Sequence, residues 1–134
     1  MTPDDVQRWL DRYVEAWQTY DPGRIGDLFS ADAEYAFHPW DVPLRGREAI
    51  VRSWLEPSGP ASQRDEPGTW TASYRPWAVE AQRAVVVGST TYWSDAAHSR
   101  AERTYENVWL VEFDADGRCR AFVEHYMKRP QRAG

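Results

Sequence analysis

From Val6 onward apolar residues recur at spacings of three and four: Val6, Trp9, Leu10, Tyr13, Val14 and Trp17. That period predicts an amphipathic helix reaching about Tyr20. Thr2 supplies its N-cap, Pro3 suits the first helical position, and Asp5 stands three residues after the cap. Asp21-Pro22 restarts the chain by the same logic as a second, short helix, with Ile25, Leu28 and Phe29 as its inner face. Glu34 to His38 alternates and reads as a short strand ending at Pro39, whose nitrogen cannot join a ladder. Gly46 precedes a third helix, Arg47 to about Leu55, with Ile50, Val51, Trp54 and Leu55 on its apolar face. The stretch EPSGPASQRDEPGT that follows is rich in Pro, Gly and Ser and reads as a mobile loop, placed to act as a lid over a nearby site.

Beyond Trp70 the helical period vanishes. Four strand-like runs take its place: Trp70 to Glu80, Arg83 to Trp93, Glu102 to Asp114 and Arg118 to Lys128. EAQR, SDAAHSRA and DADG separate them, the last a tight hairpin connection with Gly117 where positive φ is favoured. Helices followed by a long antiparallel meander define an α+β fold, and 134 residues suit one domain, 1–134. No internal repeat appears.

Composition sharpens this outline through its rings. Eight Trp, seven Tyr and four Phe make 14% of the chain, enough to fill a core, wall a pocket or form a subunit interface. Sixteen basic against twenty-one acidic residues leave a net charge of −5, which argues against nucleic acid as a partner. No apolar run approaches the roughly 18 residues needed to cross a bilayer, and MTPDDVQRW lacks the basic and apolar regions of a signal peptide. The expectation is a cytoplasmic protein with no membrane partner. The single Cys119 reads as structural or exposed, and His98 in its hairpin as solvated. His38, His98 and His125 share no metal-ligand spacing, and no phosphate loop, GxGxxG or GxSxG is present, so neither metal nor cofactor is expected. The closing KRPQRAG reads as a frayed, soluble end.

Chemistry centres on FVEHYM, residues 122–127. On a strand, Phe122, Glu124 and Tyr126 share one face, and Val123, His125 and Met127 the other. A carboxylate between two rings is costly unless paired or used, and desolvation would raise its pKa toward the range of a general acid or base. Glu124 is therefore the first catalytic candidate. A one-residue register slip would turn His125 inward instead.

The element order resembles the nuclear transport factor 2-like superfamily, which includes ketosteroid isomerase, SnoaL-like polyketide cyclases and scytalone dehydratase. DRYVEAWQTYDPGRIGDLFSADAEY, GREAIVRSW and FDADGRCRAFVEHYMKRP carry the resemblance, which is closest to bacterial SnoaL-like proteins. It implies a cone in which three N-terminal helices pack on a strongly curved antiparallel sheet, enclosing a pocket, and a homodimer through the outer sheet face. RYVEAW lines up with the helix motif that carries an oxyanion-stabilising tyrosine in the isomerases, which implies that role for Tyr13. The isomerase base, an aspartate before a proline, corresponds in AFHPWD to His38 with one inserted residue, and Asp41 could orient His38 or replace it. The isomerase's protonated aspartate aligns with Trp109, so that donor is missing at its usual place.

Tyr126 joins Tyr13 as an oxyanion donor, and Asn107 is a ligand-binding candidate on the same strand face as Trp109. Trp17, Trp54, Tyr105, Trp109 and Phe122 would wall the cavity around a flat, mostly apolar small molecule. The expected function is cofactor-independent proton transfer on a carbonyl or hydroxy compound: isomerisation, dehydration or cyclisation. The competing reading is a noncatalytic ligand-binding or dimeric scaffold domain, which a closed, ring-packed interior would favour.

Overall fold

A computed structural model describes residues 1–55 and 68–130. Its order is α1 (Pro3–Thr19), α2 (Pro22–Asp27), β1 (Phe29–Ala36), β2 (Leu44–Arg45), α3 (Arg47–Leu55), β3 (Trp70–Glu80), β4 (Arg83–Trp93), β5 (Ala101–Phe113) and β6 (Cys119–Lys128). The expected capping box is formed: Thr2 Oγ1 accepts from the Asp5 N–H and the Asp5 carboxylate accepts from the Thr2 N–H. Tyr20 ends α1 in the left-handed conformation, and Asp21 then accepts from the Gly23 and Arg24 N–H groups to start α2.

All six strands form one sheet, ordered β2-β1-β6-β5-β4-β3. β3 to β6 are the expected antiparallel meander. β1 instead lies parallel to β6, so the sheet is mixed rather than purely antiparallel. β1 also begins earlier than the alternation suggested. Phe29 pairs with Cys119 and the Cys119 N–H donates to the Leu28 carbonyl, drawing Phe29 into the sheet and out of α2. Register shifts interrupt the pairing at Phe29/Glu34, Pro76/Ala78, Tyr92/Trp93 and Glu112/Phe113. Such irregularities increase local twist and bend a sheet around what it covers.

The concave face covers α1. Val6, Trp9, Leu10, Tyr13 and Ala16 are buried there, and the Trp9 indole donates to the Leu28 carbonyl at 3.1 Å. Trp9 packs edge-on against Phe29 and Phe113, and a ring this size contributes roughly 4 kcal/mol by burial. Cys119 is fully buried at the start of β6, and burial pushes its thiol well above the usual range. Of the two sequence readings of this residue, the structural one holds. The convex face carries an aliphatic row, Val85, Leu110 and Val123 in mutual register, with Leu110 47% exposed. Among the described residues no helix is long and apolar enough to cross a membrane. The stretch read as a lid falls largely on residues 56–67, and the tail on 131–134; both lie outside the described residues.

Candidate active site

Register decides which side chains meet. β5 and β6 pair so that Trp109 stands opposite Glu124, Asn107 opposite Tyr126 and Val111 opposite Phe122. Trp109, Asn107 and Val111 are buried on the concave side, so Glu124 faces inward and His125, opposite the half-exposed Val108, faces out. A cavity of about 420 Å³ opens there between α1, α3 and the sheet. That volume is in the range of small-molecule sites.

Gly88 stands between Tyr74 and Asn107 in one cross-strand row. A Cβ at this position would meet the Ser73 carbonyl oxygen at 2.1 Å and Tyr74 Cδ1 at 2.5 Å. The missing side chain therefore lets the Tyr74 ring lie across the sheet. From there a polar rail runs inward. Tyr74 and Thr90 hydroxyls are 2.5 Å apart, Thr90 Oγ1 donates to Asn107 Oδ1 at 3.0 Å, and Asn107 Nδ2 donates to Glu124 Oε1 at 2.8 Å. Since the Thr90 proton is directed to Asn107, Tyr74 must donate to Thr90.

Glu124 is mostly buried at the end of this rail. Loss of water pushes its pKa up from the ordinary 4.5 to about 8. The Asn107 amide, the Trp109 indole and the His125 backbone N–H pull the other way without offsetting that loss. Although the indole is near enough to act, neither Trp109 Nε1 nor Glu124 Oε2 reaches a partner in hydrogen-bond geometry. The site therefore favours the protonated form of Glu124.

Tyr13 and Tyr35 line the same cavity and share a hydrogen bond of 3.1 Å. Burial, reinforced at Tyr13 by the neighbouring phenols, raises both far above the ordinary phenol range, so both stay neutral donors. Burial likewise raises Tyr74. At the rim, the turn after β1 carries His38 and Asp41. Asp41 Oδ2 is 2.8 Å from His38 Nδ1, and His38 Nε2 is 2.9 Å from the Tyr126 hydroxyl. A carboxylate only accepts, so the Nδ1 proton belongs to this contact and Nε2 of the neutral ring is left to accept from Tyr126. Trp40 stacks on the imidazole at 4.9 Å.

Of the residues singled out from sequence, Tyr13, Trp17, Trp54, Tyr105, Asn107, Trp109, Glu124 and Tyr126 line the cavity. His38 and Asp41 do not line it; they reach it through Tyr126. Phe122 is not a wall residue either. It is 1% exposed, stacked on Tyr35 at 4.4 Å and tilted against Trp109 at 4.8 Å, because its place beside Val111 is deeper in the cone than Glu124. Asn107 holds Glu124 as well as lining the space. Tyr35, Tyr74, Thr90, Tyr92 and Arg103 also line it and were not anticipated. Strand alternation could have found them, since Tyr74 shares a face with Trp70, and Arg103 with Tyr105 and Asn107. His98 is exposed, as expected, and also stacks on Trp93 and bonds the Gly68 carbonyl. Among the described residues no three His, Cys, Asp or Glu side chains could hold a metal ion together.

Residues 10–122 match the SnoaL-like domain. The chain belongs to this family. No curated protein matches the sequence of this SnoaL-like protein. Solved structures similar to it include a nuclear transport factor 2-like protein of unknown function from Burkholderia xenovorans, at 17% identity and TM-score 0.62, covering 98% of this chain and 89% of that one. A provisionally named ketosteroid isomerase from Kribbella flavida is 14% identical with TM-score 0.66, covering 98% and 84%. A protein from Sphaerobacter thermophilus is 18% identical with TM-score 0.62, covering 89% and 93%. At these identities the likeness concerns the fold, a helix-covered, curved and open six-stranded sheet of the nuclear transport factor 2-like kind.

Proposed function

We propose that this SnoaL-like protein is a cofactor-independent enzyme that moves protons on a small, largely apolar carbonyl or hydroxy compound, in the isomerase, dehydratase or cyclase class. The observation that carries this reading is a mostly buried carboxyl on the cavity wall, its pKa raised by loss of water, with the buried phenols of Tyr13 and Tyr35 on the same cavity. A neutral acid in a dry pocket donates a strong hydrogen bond to an oxygen on which charge develops, as the protonated aspartate of ketosteroid isomerase does. In the isomerase pattern that acid would fall at Trp109. Here Glu124 stands directly across the ladder from Trp109, so the neighbouring strand supplies the group.

The Asp41–His38–Tyr126 chain supplies the opposite role. The Tyr126 oxygen takes a proton from substrate carbon as its own proton passes to His38 Nε2, and Asp41 stabilises the imidazolium that results. Glu124 meanwhile donates to the substrate oxygen, giving an enol. Returning the proton to another carbon completes an isomerisation, and expelling a protonated hydroxyl completes a dehydration.

The test is exchange of the α-protons of 2-tetralone, a flat apolar ketone, in deuterated buffer, followed by proton NMR. The wild-type protein is expected to accelerate exchange with a bell-shaped pH profile, and Glu124→Gln and His38→Ala each to slow it by about 100-fold or more. A ketone that binds without faster exchange would favour the noncatalytic reading. A profile unchanged in both variants would remove both proton-handling groups.

A further inference from the structure

Among the described residues that line the cavity, Glu124 is the only carboxyl and Arg103 the only cation. Alternation along β5 puts Arg103, half-buried, on the concave face with Tyr105, Asn107 and Trp109. Several surface arginines face carboxylates, as in Arg24–Glu15, Arg45–Glu34, Arg120–Glu112 and Arg129–Glu106, while Arg75 lies over the Trp77 ring. Arg103 has no carboxylate within ion-pair distance among the described residues. Its guanidinium lies instead over the Tyr92 ring, Cζ 4.1 Å from the centroid, and Tyr92 is braced edge-on by Tyr105 at 6.0 Å. Stacking on a ring fixes the plane of the guanidinium while leaving its edge N–H groups able to take a planar anion through two hydrogen bonds.

The position sets a length. Arg103 and Asn107, whose amide holds Glu124, are four residues apart on one strand, about 13 Å at the ordinary rise. We infer that the ligand is an amphipathic organic anion: a flat apolar body with its reacting oxygen at Glu124 and a carboxylate, or an anionic group of like geometry, held by Arg103 at the other end. The inference rests on the proton-transfer reading for which end reacts, and on Arg103 alone for the charge. It also gives a physical reason for a cationic mouth on a chain of net charge −5, since the site draws in a solute that the rest of the surface repels.

The probes are a bicyclic aryl ketone bearing a propanoate side chain and the methyl ester of the same compound, titrated by calorimetry at low salt. Wild-type protein is expected to prefer the acid by about tenfold or more, with the preference shrinking as salt is added. Arg103→Gln should reduce that ratio to below about twofold, and Arg103→Lys, which keeps the charge without the fork, to an intermediate value. Circular dichroism checks that each variant is folded. Equal binding of acid and ester by wild type, an undiminished preference in Arg103→Gln, or binding of neither probe overturns the inference. The proton-transfer reading is judged separately, by exchange of unsubstituted 2-tetralone in wild type: failed exchange with the acid preference intact removes that reading only, and the converse removes this one only.

Discussion

Alanine at position 88 is expected to cost the fold about 3 kcal/mol, seen in urea unfolding followed by tryptophan fluorescence, and to lower Tm by roughly 10 °C. The added methyl would stand 2.1 Å from the Ser73 carbonyl oxygen and 2.8 Å from Tyr74 Cα, and both of these are backbone atoms of the adjacent strand. A flexible side chain could swing aside; a paired strand can yield only by breaking its ladder with β4. The loss would also reach the cavity. Displacing Tyr74 removes the donor to Thr90 and loosens the rail that ends on Glu124. A stability change under about 1 kcal/mol would mean that β3 and β4 are not this close at the row of Tyr74, Gly88 and Asn107.

The second large effect is the pH dependence of Glu124→Gln. Glu124 has a folded-state pKa of about 8 against an ordinary 4.5, so the unfolded chain gives up this proton first. The folded protein holds one proton more across that window, and its stability falls as pH rises from about 4.5 through 8. The full shift corresponds to about 5 kcal/mol at 1.36 kcal/mol per unit, and partial exposure of the side chain trims it to about 3 kcal/mol. Glutamine does not titrate and can still accept from Asn107. Relative to wild type, Glu124→Gln is therefore expected to be near neutral at pH 5 and more stable by about 3 kcal/mol at pH 9, measured by urea unfolding at both. A difference that does not change with pH would show that the acid is as well solvated folded as unfolded.

Much of this was legible in the chain because it is written in local spacing. The bounds of α3, β3 and β4 follow from period and punctuation alone, and so does the hairpin at Gly117, whose φ is +81°. The inward direction of Glu124 follows from alternation once the register is fixed by burying Trp109 and Phe122. What was not legible depends on partners distant in sequence. Phe29 has the spacing of a helix residue beside Ile25 and Leu28, and only its pairing with Cys119 makes it a strand residue. The parallel pairing of β1 with β6 leaves no mark within either strand.

The site divides in the same way. His38 and Tyr126 are 88 residues apart, and nothing local joins them; the sequence named both but could not connect them. Arg103 sits in AERTYENVW, where it looks like one more surface charge. The shift at Tyr92/Trp93, where Tyr92 pairs with Arg103, falls where alternation is hardest to follow by eye. Phe122 was assigned to the cavity because it shares a face with Glu124, but one face of a strand runs from closed core to open rim, and alternation does not say how far along a residue lies.

The proposed chemistry requires position 124 to hold its proton in the folded protein at neutral pH. Titration of the Glu124 side-chain carboxyl carbon by carbon-13 NMR, assigned by its loss in Glu124→Gln, reads this directly. A midpoint close to 8 is the expected result. A midpoint near the ordinary 4.5 would place an anion on the cavity wall at pH 7 and contradict the proposed chemistry.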